Sequence, residues 1–231
     1  MEVKMKNSFF LLLTIFAVCL IGGCKANHFD NTMPTSSYEA IGLLESKLFE
    51  EKKDDLDVKI SFPQFSNNEN ITAEKVNKII KETAINNYYK QWNLKGLTLD
   101  QTYNIEKQGS EFLSIVFYGY IHVAGTAHPT NSCHAVTMNL KTAETYTLSH
   151  FIKSYDDLEN NILDGKYEVL YGGLKALNSD EVLSIIHDSF ENTPINENAT
   201  QFYISEDDSL CIIIDVPHAA GDYSIVKIDS N

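Results

Sequence analysis

The hydrophobic positions along the chain change their period several times, and each change marks an element. Val58-Lys59-Ile60-Ser61-Phe62 alternates apolar and polar residues, as a half-buried strand does. Pro63 then ends that strand or marks it as an edge. Ahead of it, Ile41 to Phe49 fits a helix and a strand equally, and Lys52-Lys53-Asp54-Asp55 makes a polar turn. From Thr72 to Trp92 the period lengthens. Val76, Ile79, Ile80, Ala84, Tyr88 and Trp92 recur at three- and four-residue steps, which predicts an amphipathic helix with Thr72 as N-cap and Gly96 as its stop.

Alternation returns at Leu97, Leu99, Gln101, Tyr103 and Ile105, and Phe112 to Val123 reads as a long strand. Its Leu113, Ile115, Phe117, Ile121 and Val123 share one face and predict core. Ser114, Val116, Tyr118, Tyr120 and His122 share the other. That face is less apolar and rich in aromatics, so it is either covered by the second helical region or open to a ligand. Gly125-Thr126-Ala127-His128-Pro129 breaks the sheet before a strand at Cys133 to Leu140. Helical stretches are expected at Tyr155 to Leu170 and Ser179 to Phe190, with Gly172-Gly173 as a stop between them. Phe202 to Ser205 and Leu210 to Val216 read as a hairpin around Glu206-Asp207-Asp208. Pro217 to Gly221 interrupts before a last strand at Tyr223 to Ile228. Strands at both ends around helices predict an α+β fold. It has mainly antiparallel sheets, packed with one long N-terminal helix and two helices in the C-terminal half.

The first residues carry a different signal. Lys4 and Lys6 precede a 13-residue apolar run, Phe9 to Ile21, and Gly22-Gly23 stand before Cys24. A bilayer-spanning helix takes about 20 apolar residues, so the run reads as a secretory signal with a cleavage site. Leu20-Ile21-Gly22-Gly23-Cys24 resembles the bacterial lipobox. That resemblance implies cleavage after Gly23, acylation of the Cys24 thiol, and an extracytoplasmic protein held on a bacterial membrane. Residues 24–40 then read as a polar tether.

Charge narrows the partners. The formal net charge is −14, and loss of Glu2, Lys4 and Lys6 with the signal leaves −15 on the mature chain. All 18 cationic side chains are Lys. Without the planar fork of Arg, and with an acidic balance, nucleic acid is excluded as a ligand class. The acidic surface either attracts a cationic partner or serves only to keep the protein soluble, the second being the commoner reason for such a composition. Of the cysteines, Cys19 leaves with the signal and Cys24 takes lipid. Cys133 and Cys211 remain as two thiols in strand-like runs, candidates for a disulfide in an exported protein and equally at home as buried thiols.

Catalytic and metal signals are weak. His122, His128 and His134 stand six residues apart, a spacing that neither strand nor helix gathers into a tight metal set. His128 before Pro129 is held extended and reads as a loop-anchoring hydrogen-bonding residue, as does His218. Asp156-Asp157 and Asp207-Asp208 sit where helix starts and turns favour acids. No cofactor is expected, and an acid pair assembled from distant residues stays open as a hydrolase reading.

Four segments together carry a resemblance. They are Ile60-Ser61-Phe62-Pro63 before the helix with Asn77, Gly125 to Pro129, Asn139-Leu140-Lys141-Thr142 with Leu148-Ser149, and Phe202-Tyr203 running into Val216 to Gly221. In this order they resemble the extracytoplasmic PdaC/RsiV-like domain, over roughly Ile41 to Ile228. Thr126 stands where that family usually has Gly, and His150-Phe151 where it has Asp-Leu. The domain accompanies peptidoglycan deacetylases, forms the outer part of lysozyme-sensing anti-sigma factors, and occurs alone in lipoproteins. The resemblance implies a PdaC-like half over 41–130 and an RsiV-like half over 131–231, packed as one unit. It also implies a non-enzymatic, lipid-anchored domain whose ligand is a cationic protein such as lysozyme, or peptidoglycan. The candidate binding residues are Tyr118, Tyr120 and His122 on the strand face and Gly125, His128 and Pro129 in the loop.

Overall fold

Two sheets and three helices form from the residues that the computed structural model describes, 41–67, 69–86 and 95–229. The signal sequence, Cys24, the tether, and Tyr88 and Trp92 of the expected long helix lie outside them. The first sheet has the spatial order β1 (Leu44–Lys53), β2 (Leu56–Phe65), β3 (Leu97–Gln108), β4 (Phe112–Val123), β5 (Thr130–Asn139) and β6 (Glu144–Thr145). The second has the order β7 (Tyr167–Gly172), β10 (Tyr223–Ile228), β9 (Leu210–Asp215) and β8 (Gln201–Ile204). The helices are α1 (Ile71–Ile85), α2 (Tyr155–Leu163) and α3 (Ser179–Asn192).

The mixed α+β class follows from these elements, and pairing is antiparallel except between β2 and β3. Those two run parallel because α1 carries the chain across between them, as a parallel pair requires. The parallel ladder spans only Asp57 to Ile60 of β2. Pro63 therefore sits inside β2, pairing with Ser46 of β1, where the other side of the strand carries no ladder and a missing N–H is tolerated. The ambiguous segment at Ile41 resolves into β1.

Helix α1 starts two residues earlier than its apolar period predicts. Asn70, not Thr72, is the N-cap: its side chain accepts from Thr72 N at 2.9 Å and Ala73 N at 3.1 Å. Ala73, Val76, Ile80 and Ala84 then fall on one buried stripe. Buried Asn77 on that stripe is a bracket. Its Oδ1 accepts from Phe65 N at 2.7 Å and its Nδ2 donates to Phe65 O at 2.9 Å, which fixes the helix on the end of β2.

The layers stack as helix, sheet, sheet, helices. Helix α1 buries Val76 and Ile80 against Val58, Ile60, Leu99, Ile115 and Phe117 of the first sheet. Between the sheets lie Val116, Cys133, Tyr203, Cys211, Ile213 and Ile225. On the far side, Leu158, Ile162, Val182 and Ile186 of α2 and α3 pack on Ile212, Ile214 and Val226. Strand β9 is apolar at successive positions because both its faces are covered: Cys211 and Ile213 look to the first sheet, Ile212 and Ile214 to the helices. Each such side chain contributes about 1.5–3 kcal/mol through burial.

Two expectations fail here for local reasons. The helix expected from Tyr155 to Leu170 ends at Leu163, with Asp164 as C-cap and Gly165 at φ +78°. Tyr167, Val169 and Tyr171 beyond it have period two and β-forming side chains, and they make β7. Gly172-Gly173 consequently closes a strand rather than a helix. A Cβ on Gly172 would lie 2.5 Å from Tyr223 O, and one on Gly173 2.0 Å from Ala220 O, so these glycines allow a close backbone approach.

Candidate functional site

The two faces of β4 meet different layers. Leu113, Ile115, Phe117 and Ile121 are buried toward α1, as their alternation predicts. The other face is covered by the second sheet rather than by the helical region. At its start Ser114 Oγ accepts from Ile204 N of β8 at 3.3 Å, and Gln201 Oε1 accepts from Ala135 N at 3.2 Å. Further along β4 this cover opens. Between Tyr118 and Tyr120 on one side and Tyr171 and Tyr223 on the other lies a cleft of about 890 Å³.

Tyrosines define it. The rings of Tyr171 and Tyr223 stack with centroids 5.6 Å apart, and Tyr118 meets Tyr171 at 6.0 Å and a 57° tilt. Tyr223 is buried, whereas Tyr120 is 45% and Tyr171 54% exposed. The Tyr118 hydroxyl donates to Glu106 Oε1 at 3.4 Å, and burial first, then the Glu106 charge, pushes its pKa up. The Tyr223 hydroxyl is pushed up by burial too. Both phenols therefore stay neutral and act as hydrogen-bonding groups. Asp100 and Asn131 add polar groups to the walls, and Gly119 keeps the floor of β4 low. A Cβ on Gly119 would lie 2.3 Å from Ser132 Oγ, so a side chain there would have to displace that hydroxyl. Rigid amphipathic rings beside a few fixed polar groups suit a protruding apolar or sugar-like group.

Loops close one end. Asn131 at the start of β5 and Gly221 ahead of β10 both line the cleft. Asp222 joins them: its Oδ2 accepts from Asn131 N at 2.8 Å and Asn131 Nδ2 at 3.1 Å. Its Oδ1 bonds His218 Nδ1 at 2.7 Å. The His218 ring in turn stacks on His128 with centroids 5.4 Å apart. The Gly125–Pro129 loop and the Pro217–Gly221 loop, singled out separately in the sequence, thus meet through their histidines.

Of the candidate residues, Tyr118 and Tyr120 line the cleft, while His122, Gly125, His128 and Pro129 do not. Gly125, at φ +92°, lets the loop turn, and Thr126 Oγ1 donates to Val123 O at 2.8 Å to pin it. His134 belongs elsewhere. It stacks on Phe117 at 4.9 Å toward α1, and burial lowers its pKa to about 3, so it is a neutral core residue. Cys133 and Cys211 are buried free thiols in the layer between the sheets, and burial raises both pKa values. A thiol so raised is a poor nucleophile.

Tyr171 and Tyr223 are missing from the sequence candidates. The signal for Tyr171 was the period-two spacing Tyr167, Val169, Tyr171, most of which fell within the expected helix, whereas Tyr223 stood in an expected strand whose neighbour could not be read. The acid pairs have structural partners: Asp156 and Asp157 lie in the first turn of α2, Asp207 pairs with Lys227 at 2.5 Å, and Asp208 pairs with Lys107. Among the cleft's lining residues Asp100 is the one carboxylate. Among the described residues no helix is long and apolar enough to cross a membrane.

No family model and no curated protein matches the chain. Solved structures similar to it include two DUF3298 family proteins. A DUF3298 family protein from Pseudomonas aeruginosa PAO1 is 11% identical, over 81% of this chain and 88% of that one, with a TM-score of 0.48. A member of the DUF3298 family from Bacteroides fragilis is 15% identical, over 82% of this chain and 91% of that one, also at 0.48.

Proposed function

We propose that this chain is a lipid-anchored extracytoplasmic binding domain of the PdaC/RsiV-like kind, without catalytic activity. Its ligand is a cationic protein such as a lysozyme, seated at the tyrosine cleft. The observation that carries this reading is the half-exposed pair Tyr120 and Tyr171 at the mouth of that cleft. Tyrosines so placed are the residues that anchor protein interfaces, since they bury much area at little conformational cost. The net charge of −14 supports a basic partner, which an acidic surface attracts from a distance. Support for the anchor comes from Leu20 to Cys24, and support for the domain type from the four ordered segments.

Peptidoglycan is the second reading. The observation in its favour is the set of tyrosine ring faces beside Asp100 and Asn131, an arrangement that also suits stacking on sugars with hydroxyl hydrogen bonds. A hydrolase would need a second acid near Asp100 and ranks third. The test is capture of hen lysozyme, against capture on purified sacculi, by the mature chain and its Tyr171→Ala variant. Lysozyme retention that the variant loses supports the first reading. Retention on sacculi alone moves the ligand to glycan. Capture of neither removes the cleft as a seat for both.

A further inference from the structure

The meeting of the two loops has a chemistry of its own. Asp222 is only 10% exposed and sits at φ +75°, a left-handed conformation that L residues adopt at a cost unless the surroundings hold it. It is held by Asn131, whose backbone N–H and side-chain amide both donate to Oδ2. The remaining oxygen takes His218 Nδ1 at 2.7 Å. A carboxylate on Nδ1 draws the ring proton there and leaves the lone pair on Nε2, outward on a ring that is 52% exposed. A second imidazole, exposed His128, stacks on it at 5.4 Å. Metal-ligating histidines characteristically give their other ring N–H to a carboxylate that sets tautomer and orientation.

We propose that His128 and His218 are the ligands of a divalent transition-metal site, with Asp222 as the carboxylate that orients His218. The ion is of the class that imidazole favours, Zn²⁺ or Cu²⁺, and water completes its coordination. Two nitrogens on a tetrahedral ion at 2.0–2.1 Å stand roughly 3.3 Å apart. His128 reaches that separation by turning its exposed ring, while its backbone stays pinned through the bond from Thr126 Oγ1 to His128 O at 3.3 Å. Bound there, the ion clips the loop after β4 to the loop before β10 and braces the end of the cleft that Asn131 and Gly221 line.

Titration of the untagged full chain with Zn²⁺, followed by calorimetry, tests this. One ion per chain is expected, with affinity lowered at least tenfold in His128→Ala and in His218→Ala. Asp222→Asn keeps an acceptor for Asn131 N and tolerates the left-handed conformation, and it is expected to lose about 10- to 100-fold in affinity. His187 with Asp188 and Glu191 forms another exposed group of donors on α3, and His187→Ala is expected to change nothing. Melting curves confirm that each variant is folded, and where Asp222→Asn is not, the two histidine variants decide. The proposal is overturned if the wild type takes up no ion, if either loop-histidine variant binds as well as the wild type, or if uptake is lost in His187→Ala.

Discussion

Tyr171 of β7 lies nearly flat on Tyr223 of β10, with centroids 5.6 Å and planes 17° apart, yet one ring is 54% exposed and the other buried. The pair separates binding from stability within one contact. Tyr223→Ala empties space between the sheets and is expected to cost about 3–5 kcal/mol in folding stability. Tyr171→Ala and Tyr120→Ala remove half-exposed rings and should shift stability by less than about 1.5 kcal/mol. Chemical denaturation of the three variants checks this. Equal losses in all three would make the cleft tyrosines simply core.

The Asn77 bracket on Phe65 makes a second prediction. Asn77→Ala leaves both the N–H and C=O of Phe65 buried without their amide partner. Such groups cost about 1–3 kcal/mol each, so the variant should lose about 2–6 kcal/mol. The urea midpoint should fall with an unchanged slope. A midpoint shift worth under about 0.5 kcal/mol would show that α1 is held by its apolar stripe alone.

His134 sets a pH dependence. Its pKa is lowered from 6.5 to about 3 in the fold by burial, so below pH 6.5 the unfolded chain binds a proton that the folded chain does not. Stability conferred by the neutral form is thus full above that pH and lost as pH falls, at about 1.4 kcal/mol per pH unit. Between pH 7 and pH 5 the wild type should lose roughly 2 kcal/mol more than His134→Gln. Parallel pH slopes for the two proteins would locate the acid sensitivity elsewhere.

The anchor is testable without the fold. Cys24→Ala should abolish acyl labelling and release the mature protein or stall its precursor. Unchanged lipid labelling of that variant would refute the lipobox reading.

Much of the sheet architecture was legible because alternation reports burial directly. The β4 face of Leu113, Ile115 and Phe117 is core, and Ser179 to Phe190 is helical, as their periods imply. Periodicity cannot say what covers a face, so the partner of Tyr118 and Tyr120 was hidden. It is a second sheet whose edge strand, Tyr167–Gly172, follows α2 after a short turn and was read as part of that helix. The parallel β2–β3 pair was equally invisible, since it depends on where α1 sends the chain. The two histidine loops were visible as breaks, but their meeting rests on Asn131 and Asp222, 91 positions apart.

The central claim is that the cleft between the sheets binds a basic protein through its exposed tyrosines. Surface-immobilised mature chain, with lysozyme in solution, measures it by association and dissociation rates for wild type and Tyr171→Ala. The account predicts association that slows as salt rises from low to physiological, because acidic steering is screened. It also predicts dissociation at least tenfold faster in Tyr171→Ala, with the melting temperature nearly unchanged. Lysozyme dissociating equally fast from both proteins, or failing to bind the wild type at low salt, would contradict it.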